Sequence, residues 1–342
     1  MDNDVLLLDA YSQIFRSFYA IRELNNARGE PVNAAYVFTR LLLKLEKSYP
    51  DRRRIMLFDS GKVEFRLKLA PDYKANRPPM PDALKAQIPL IKKIAAAFGW
   101  KLFELPGFEA DDLIGMIARR CENSCRVQIV SSDKDLSQLV NSNVTMLVPQ
   151  NGSKGDFEER GISEVTAKFG VAPELIVDYL ALLGDASDNI NGVPGIGPKS
   201  AVELLSTYGG AETWLEDVSL IEKSRFFKRL DGNFELLRRN RELVRLRTGM
   251  APELENELPG MLTAAAPAWR EIAEICRDNQ FNSILKELPE DAPGGVENAS
   301  VIEDDGDMPL FDFVQKSDPV EADTAAEEEK NSKKSFQQLE LF

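Results

Sequence analysis

Short apolar runs alternate with amphipathic stretches of helical period over the first half of the chain. The runs have the length and the Val, Ile and Leu content of buried parallel strands. We predict five strands, at VLLLD (5–9), RIMLFD (54–59), KLFEL (101–105), VQIVSSD (127–133) and VTMLV (144–148). Between them the pattern predicts helices over residues 35–47, 82–99 and 110–121. This alternation is typical of an α/β fold, in which helices cover both faces of a parallel sheet.

The pattern changes at about residue 160. Helical periodicity then continues to residue 288, as in PELIVDYLALLG (173–184). Further on, acidic residues, Pro, Gly and Ala dominate, a composition that predicts disorder because it cannot bury enough apolar surface. We therefore predict an α/β domain at 1–160, a helical domain at 161–288, a disordered acidic tether at 289–337 and a terminal peptide at 338–342.

The chain of 342 residues contains no histidine. This excludes Ser-His-Asp triads, histidine general bases and histidine-ligated metals. Cys121, Cys125 and Cys276 are interpreted as small core residues, because the start of the chain does not resemble a secretory signal and a zinc site would need further ligands. No apolar run has the length of a membrane span. We expect a cytoplasmic protein with no membrane contact.

Acidic side chains end three of the predicted strands. They are Asp9, Asp59 and Asp133, and the carboxyl ends of parallel strands meet along one edge of a sheet. Six further acids follow a strand or a helix closely enough to reach that edge: Glu109, Asp111, Asp112, Asp135, Asp185 and Asp188.

Helix capping is the alternative explanation for some of these acids. Asp111, Asp112 or Asp135 alone would be accounted for by the unsatisfied N–H groups of a helix start. Aspartates that end strands are not expected to cap helices, and nine converging negative charges require cations. Oxygen ligands without histidine or cysteine favour Mg²⁺ or Mn²⁺. Two such ions roughly 3.5–4 Å apart form a common site of phosphodiester hydrolysis. Calcium storage fits poorly, because no EF-hand-like loop is present.

Two segments have the character of DNA contacts. GVPGIGPKSAVELL (192–205) predicts a helix–hairpin–helix that holds a duplex backbone, with Gly195 and Gly197 in the turn and Lys199 behind it. A plain helical packing element is the alternative. In the basic stretch at 62–85, Lys74 and Arg77 are candidate phosphate contacts and Tyr73 a candidate base-stacking residue. An ordinary solvated loop is the alternative there.

The net charge of −14 does not argue against a DNA partner. Residues 296–342 hold 13 of the 56 acidic residues but only 4 of the 42 basic ones. The predicted acidic edge accounts for nine more of the acids. The negative charge is therefore concentrated in a tail and a cluster, and the remaining surface can face nucleic acid.

Taken together, the motifs closely resemble the 5′-nuclease (flap endonuclease) family, in particular the 5′→3′ exonuclease domain of bacterial DNA polymerase I. The matching stretches are the strand aspartates, PDYKANR (71–77), GFEADDLIG (107–115), SSDKDLSQL (131–139) and GDASDNINGVPGIGPKSA (184–201). The resemblance covers about residues 4–285. It implies a PIN-like core, a helical arch at 60–90 and a helix–hairpin–helix subdomain. It also implies a bacterial, nucleoid-associated enzyme and metal-dependent hydrolysis at 5′ ends and at flaps of DNA and RNA primers, in replication and repair.

The resemblance also implies roles for individual residues. The first metal ion would be held, directly or through water, by Asp9, Asp59, Glu109, Asp111 and Asp112. The second would be held by Asp133, Asp135, Asp185 and Asp188. Lys74 and Arg77 match residues that contact the scissile phosphate, and Arg16 matches a basic position near the active site. A potassium ion at the hairpin is an expectation that rests on the resemblance alone.

The C-terminal residues QLELF (338–342) resemble the bacterial sliding-clamp-binding pentapeptide. Gln338 would form a hydrogen bond at the edge of the clamp pocket, while Leu339, Leu341 and Phe342 would anchor in an apolar groove. Docking of the peptide on the nuclease itself is the alternative. MPLFDF (308–313) is not expected to be a second such peptide.

The leading hypothesis is thus a monomeric, clamp-tethered flap endonuclease and 5′→3′ exonuclease. A PIN-type ribonuclease is the first alternative, although such an enzyme has no need of a duplex-binding hairpin. A non-catalytic adaptor that joins branched DNA to the clamp is the second alternative, and the complete set of acidic residues argues against it.

Overall fold

The computed structural model describes residues 4–150 and 157–289. The predicted acidic tether, MPLFDF and the QLELF peptide lie outside the described residues. Among the helices of the described ranges, none is long and apolar enough to cross a membrane.

A six-stranded sheet forms the centre of the first half of the chain. Its strand order is β3-β2-β1-β4-β5-β6, and all neighbours are parallel except β5 and β6. The strands are β1 Val5–Asp9, β2 Arg53–Phe58, β3 Lys101–Glu104, β4 Val127–Val130, β5 Val144–Pro149 and β6 Phe157–Arg160. The predicted α/β fold is confirmed. Strand β6 was missed because FEER is a half-exposed edge strand without an apolar run.

Helices surround this sheet and make up most of the second half. Those up to residue 170 are α1 Ala10–Ala20, α2 Asn33–Ser48, α3 Glu64–Leu69, α4 Asp82–Lys85, α5 Ile88–Ala97, α6 Ala110–Cys121 and α7 Ile162–Phe169. Those beyond it are α8 Ile176–Leu183, α9 Pro198–Tyr208, α10 Ala211–Glu216, α11 Phe227–Leu230, α12 Phe234–Val244, α13 Pro252–Met261, α14 Trp269–Asp278 and α15 Asn282–Leu285. Short 3₁₀ segments occur at Asp135–Leu139, Pro173–Leu175 and Val218–Leu220.

The two faces of the sheet bury different apolar cores. Val5 and Leu7 of β1 pack with α6 and with α8 to α13 on one face. Leu6 and Leu8 pack with α1, α2 and α5 on the other. Every side chain of β1 is buried, which explains its uninterrupted apolar sequence.

The last two helices pack beside α2 and α5, in the core on one face of the sheet. The ring of Trp269 packs against that of Phe98, in the segment after α5, with the centroids 5.9 Å apart. The rings of Phe281 and of Tyr36 in α2 pack with their centroids 5.4 Å apart. Cys276 is buried in this core, Cys121 is buried in the other, and Cys125 is half-buried, so the cysteines are core residues as predicted. Residues 269–285 therefore belong to the core of the α/β domain, although helical periodicity alone had grouped them with residues 161–268.

A tight two-stranded hairpin, β7 Gly184–Asp185 and β8 Ile190–Asn191, follows α8. Gly184 has φ 73° and ψ −178°, a conformation that only glycine adopts readily. A Cβ atom at this position would lie 2.3 Å from the backbone nitrogen of Gly192. The glycine therefore allows the chain to reverse at the end of α8 and to present Asp185 at the carboxyl edge of the main sheet.

Candidate active site

A cavity of about 780 Å³ lies at the carboxyl edge of the sheet, where the α/β domain meets the loop after α8. Its acidic lining residues are Glu109, Asp111, Asp133, Asp135, Asp185 and Asp188. Its basic lining residues are Arg16, Arg66, Lys74, Arg77, Lys134 and Lys168. Acidic and basic side chains that are spread over more than half of the sequence thus line the same cavity.

Three of the predicted acids form a compact group. One carboxylate oxygen each from Asp135, Asp185 and Asp188 lie within 4.8 Å of one another. Asp185 is held by the backbone N–H and the hydroxyl of Ser187, at 2.9 and 2.6 Å, and by the Lys134 ammonium at 3.0 Å. Burial raises the pKa of Asp185, but these hydrogen bonds and the Lys134 charge outweigh it and the pKa is lowered. Asp185 is therefore an ionised, oriented carboxylate.

A second group of acids lies beside the first. Asp9 accepts a hydrogen bond from the Ser12 N–H at 3.3 Å and another from the Ser131 hydroxyl at 3.1 Å. The Asp59 carboxylate accepts the backbone N–H of Ala110 at 2.8 Å, at the start of α6. Asp9 and Asp59 thus each bond to a helix N-terminus, and Asp9 is the N-cap of α1. The prediction that strand-ending aspartates do not cap was wrong here, because β1 passes into α1 without a loop.

Burial, and then repulsion between neighbouring carboxylates, raise the pKa values of these acids. The pKa of Asp9 is raised from its ordinary value of 3.8 to about 7, by burial first and then by the charges of Asp59 and Asp133. Burial and neighbouring carboxylates raise the pKa of Asp111 and Asp135 well above the usual range. Such a set of carboxylates releases its protons when a bound cation replaces them.

The donor chemistry of the cavity fits divalent metal ions. All of the candidate ligand atoms are carboxylate oxygens, the type that Mg²⁺ and Mn²⁺ prefer. One oxygen of Asp111 and one of Asp135 are buried without a hydrogen-bond partner, so they have unused capacity to coordinate an ion. The residues present therefore suit such an ion.

Asp112 requires a correction to the predicted ligand set. Its side chain is fully buried and accepts two hydrogen bonds from the Arg66 guanidinium, at 2.7 and 2.8 Å. The backbone N–H groups of Arg247 and Glu109 are further donors, at 3.0 and 3.5 Å. Asp112 is next to Asp111 in the sequence, but it does not line the cavity. Its hydrogen bonds connect α6 to α3 and to the segment after α12.

Tyr73 also differs from its predicted role. Its ring is only 9% exposed, and its hydroxyl donates to Glu109 or Asp188, whose carboxylate oxygens lie at 3.1 and 3.0 Å. A buried ring has no face on which a base could stack. The Tyr73 hydroxyl instead lies within hydrogen-bond distance of two acidic residues from distant parts of the chain.

Lys74 and Arg77 face the acids of the cavity. The Lys74 ammonium lies 2.7 Å from Glu109, and the Arg77 guanidinium lies 2.6 Å from Asp188. Burial lowers the pKa of Lys74, but the carboxylates of Asp188 and Glu109 outweigh it and raise the pKa. The Lys74 backbone is left-handed, with φ 55°, and its N–H donates to the Asp188 carbonyl at 3.0 Å. The basic stretch is therefore fixed to the loop that follows α8.

The remaining predicted residues are distributed between the cavity and the hairpin. Arg16 lines the cavity and donates to the carbonyl of Pro149 at 2.9 Å. Gly195 is in the turn with φ 78°, Gly197 precedes α9, and Lys199 is exposed in the first turn of α9. None of these three lines the cavity.

Several contributors to the cavity were not predicted from the sequence. Arg66 pairs with Asp112 and lies 3.1 Å from Glu109, Lys134 pairs with Asp185, and Lys168 lines the wall. Lys134 could have been found, because it stands between two predicted ligands. Arg66 and Lys168 carried no local signal that distinguishes them from other surface bases.

Comparison with protein families identifies both halves of the chain. Residues 4–170 match the model of the 5'-3' exonuclease, N-terminal resolvase-like domain, and residues 171–267 match that of the 5'-3' exonuclease, C-terminal SAM fold. The 5'-3' exonuclease of Aquifex aeolicus (strain VF5) is 38% identical over 283 residues, which are 82% of this chain and 94% of that protein. DNA polymerase I of Pseudomonas aeruginosa is 35% identical over 302 residues, or 86% of this chain but only 32% of the polymerase.

Solved structures give the same fold. A variant of the bacteriophage T5 D15 flap endonuclease, in a pseudo-enzyme-product complex with DNA and metal ions, has a TM-score of 0.59 and 25% identity, and the match covers 80% of this chain and 99% of that chain. The catalytic core of Rad2 in complex with DNA substrate shares the fold, with a TM-score of 0.54 and 15% identity over 84% of this chain and 93% of that chain. The family matches and the Aquifex relative extend over both the sheet and the helical region. The chain therefore belongs to the 5'-3' exonuclease family and is a metal-dependent nuclease.

Proposed function

We propose that this nuclease cleaves 5′ flaps and 5′ ends of DNA and of RNA primers with two Mg²⁺ or Mn²⁺ ions, during primer removal and repair. The observation that carries the proposal is the convergence of eight acidic side chains, from five separate segments, in and beside a cavity whose other wall is cationic. The acids suit metal ions and the cations suit a phosphate backbone. The T5 relative, which binds DNA and metal ions, supports the same assignment.

The two acidic groups suggest how the ions would be held. Asp135, Asp185 and Asp188, with Asp133 beside them, would hold one ion. The other would be held by the four remaining acids: Asp9, Asp59, Glu109 and Asp111. Ions bound there supply Lewis acidity to the phosphoryl group and to the attacking water. Asp112 is left out of both sets, because Arg66 and the Arg247 N–H occupy its oxygens.

The basic residues have a separate task. In the structure, Lys74 forms an ion pair with Glu109, and Arg77 forms one with Asp188. A metal ion would take over that neutralisation, and both side chains could then contact the phosphate at which charge develops. Tyr73 would keep Glu109 and Asp188 in place throughout.

The acidic cavity predicts that cleavage depends on Asp133. We expect a labelled 5′-flap DNA to be cut near the flap junction in Mg²⁺, and EDTA to abolish the cut. Asp133→Asn should reduce the single-turnover rate by at least ~100-fold, because it removes one negative charge next to both ions. Asp231→Asn, the same change at an exposed position after α11, is the matched control and should retain the rate. Tight flap binding without cleavage by the unaltered chain would favour the adaptor, and preferential cleavage of single-stranded RNA would favour a ribonuclease.

The position of Lys74 predicts an effect on the reaction more than on binding. Lys74→Ala should slow single-turnover flap cleavage by about 10²-fold or more while the Kd for the flap changes much less, because the ammonium acts on developing charge. Lys68→Ala is the control, since this exposed lysine lies in the same basic stretch and forms a surface pair with Glu64. A Kd that rises as much as the rate falls would contradict this role.

The raised pKa values predict a pH-dependent response to metal. The folded-state pKa of Asp9 is about 7 against an ordinary 3.8, so the metal-free protein gains stability as pH falls from about 7 towards 4 and loses it as pH rises. The melting temperature in EDTA should therefore be lower at pH 8 than at pH 6, and Mg²⁺ should raise it more at pH 8. Asp9→Asn should weaken both trends. Equal Mg²⁺ responses at the two pH values would contradict the metal assignment.

A tether to the sliding clamp is the last part of the proposal. Its support is the QLELF sequence, which lies outside the described residues. Deletion of residues 338–342 should abolish association with the bacterial sliding clamp in a pull-down and leave flap cleavage on short substrates unchanged. Leu310→Ala with Phe311→Ala, in the MPLFDF segment, is the control and should retain clamp association. Association that survives the deletion would show that QLELF is not the clamp-binding peptide.

A further inference from the structure

The C-terminal end of α12 lies at the wall of the cavity and is held there by side chains from other elements. Leu243, Val244 and Leu246 line the cavity. The last carbonyl groups of a helix have no partner within the helix and need donors from elsewhere. The Arg66 guanidinium donates to the Leu243 carbonyl at 3.1 Å, and the Gln138 carboxamide donates to the Val244 carbonyl at 3.0 Å. The end of α12 is therefore attached to α3 and to the 3₁₀ segment that follows β4.

The Gln138 side chain forms three hydrogen bonds. Its amide nitrogen donates to the carbonyls of Asp135 and Val244, at 2.9 and 3.0 Å, and its oxygen accepts the Leu246 N–H at 3.0 Å. Only one orientation of the carboxamide matches two acceptors and one donor at the same time. Gln138 does not line the cavity itself. Any effect that it has on the cavity therefore passes through the residues to which it is bonded.

Asp135 connects Gln138 to the compact group of acids. One oxygen of its carboxylate is buried without a hydrogen-bond partner, and one lies within 4.8 Å of oxygens of Asp185 and Asp188. Asp135 follows a strand of the sheet, whereas the other two acids lie in the loop after α8. Mg²⁺ requires ligand oxygens in near-octahedral positions at about 2.0–2.1 Å. An ion shared by these acids therefore requires the two parts of the chain to be held at a fixed separation.

Asn240 attaches the same helix to the loop after α8. It lies one turn before the end of α12, it is fully buried, and its amide nitrogen donates to the carbonyls of Ala181 in α8 and Asn191 in β8, at 3.0 and 2.8 Å. These two carbonyls lie on either side of the loop in sequence. The last turn of α12 is thus bonded to the loop through Asn240 and to the backbone of Asp135 through Gln138.

We propose that Gln138 is a positioning residue for the metal ion that Asp135, Asp185 and Asp188 would hold. By joining the Asp135 carbonyl to the end of α12, Gln138 sets the separation between the acids on the two sides of that ion. This inference rests on the proposed function, because it assigns the residue that maintains the geometry of one of the two proposed metal sites.

The test measures Mn²⁺ binding without DNA and without turnover. Gln138→Met keeps the length of the side chain but removes all three hydrogen bonds. Loss of a group that orients a metal ligand typically weakens metal binding by about 10–100-fold. One of the two Mn²⁺ ions should therefore bind about 10–100-fold more weakly in this variant, while the Kd of the other stays close to that of the unaltered chain. The electron paramagnetic resonance signal of free Mn²⁺, followed through a titration, gives both Kd values.

Gln87→Met is the matched control. Gln87 is also buried and forms the same kinds of bond, because its amide nitrogen donates to the Asn33 side-chain oxygen at 2.9 Å and to the Ala83 carbonyl at 3.0 Å, and its oxygen accepts the Ala35 N–H at 3.1 Å. It does not line the cavity. This control should lower the melting temperature by a similar amount but leave both Mn²⁺ Kd values unchanged. A purely structural role of Gln138 would make the two variants alike.

A second variant at the same position covers the case in which the first does not fold. Gln138→Asn keeps a carboxamide but is one methylene shorter, so it cannot bond to the Asp135 carbonyl and to the end of α12 at the same time. It should weaken binding of one Mn²⁺ ion as well. Melting temperatures verify that each variant is folded.

The outcomes separate this inference from the proposed function. A selective loss of one ion in the Gln138 variants would support the inference, even if the chain cleaved no flap at all. Mn²⁺ Kd values equal to those of Gln87→Met would overturn it, even if flaps are cleaved normally. Equal weakening of both ions would also overturn it, because the effect would then not belong to one site. An unaltered chain that binds no Mn²⁺ would overturn the metal part of the proposed function and this inference with it.

Discussion

Repulsion between buried carboxylates is the constraint on which the rest of the structure depends. Strands β1, β2 and β4 end side by side, and this brings Asp9, Asp59 and Asp133 together although their negative charges repel one another. Burial first, and then the charges of Asp59 and Asp133, raise the pKa of Asp9. The fold reduces the repulsion with cations from elsewhere in the chain, among them Lys74 and Lys134, each within 3.0 Å of an acid. An acidic cavity whose donors suit metal ions is the result of leaving part of this repulsion uncompensated.

Asp112 lies in the same GFEADDLIG segment as Glu109 and Asp111, but its negative charge is compensated within the fold. Four hydrogen bonds, two of them from Arg66, satisfy the Asp112 carboxylate, and the pair with Arg66 is removed from water. A buried pair of this kind adds little net stability, because desolvation offsets the attraction, but breaking it leaves an unpaired buried charge. Arg66 also donates to the Leu243 carbonyl at 3.1 Å, so a single guanidinium connects α3, α6 and the end of α12. The relative position of these three elements is therefore set by charge pairing as well as by apolar packing.

Features that depend on a local sequence pattern were predicted from the sequence. Features that depend on where a side chain or an apolar helix face points were missed. Five of the six strands of the main sheet were found because they carry apolar residues on both faces, and the acids at their ends followed from parallel-sheet geometry. Asp112 and Tyr73 were misassigned because their partners, Arg66 and Asp188, lie 46 and 115 residues away. Residues 269–285 were grouped with the helical region because periodicity shows that a helix has an apolar face but not which surface covers it.

The packing of α14 and α15 beside α2 and α5 sets the face of the sheet at which the described chain ends. The hairpin and α8 to α13 share the core on one face of the sheet, whereas Leu288, close to the last described residue, packs on the opposite face. The polypeptide thus exits at the back of the enzyme as seen from the hairpin. The sheet therefore separates the hairpin from the point at which the described chain ends.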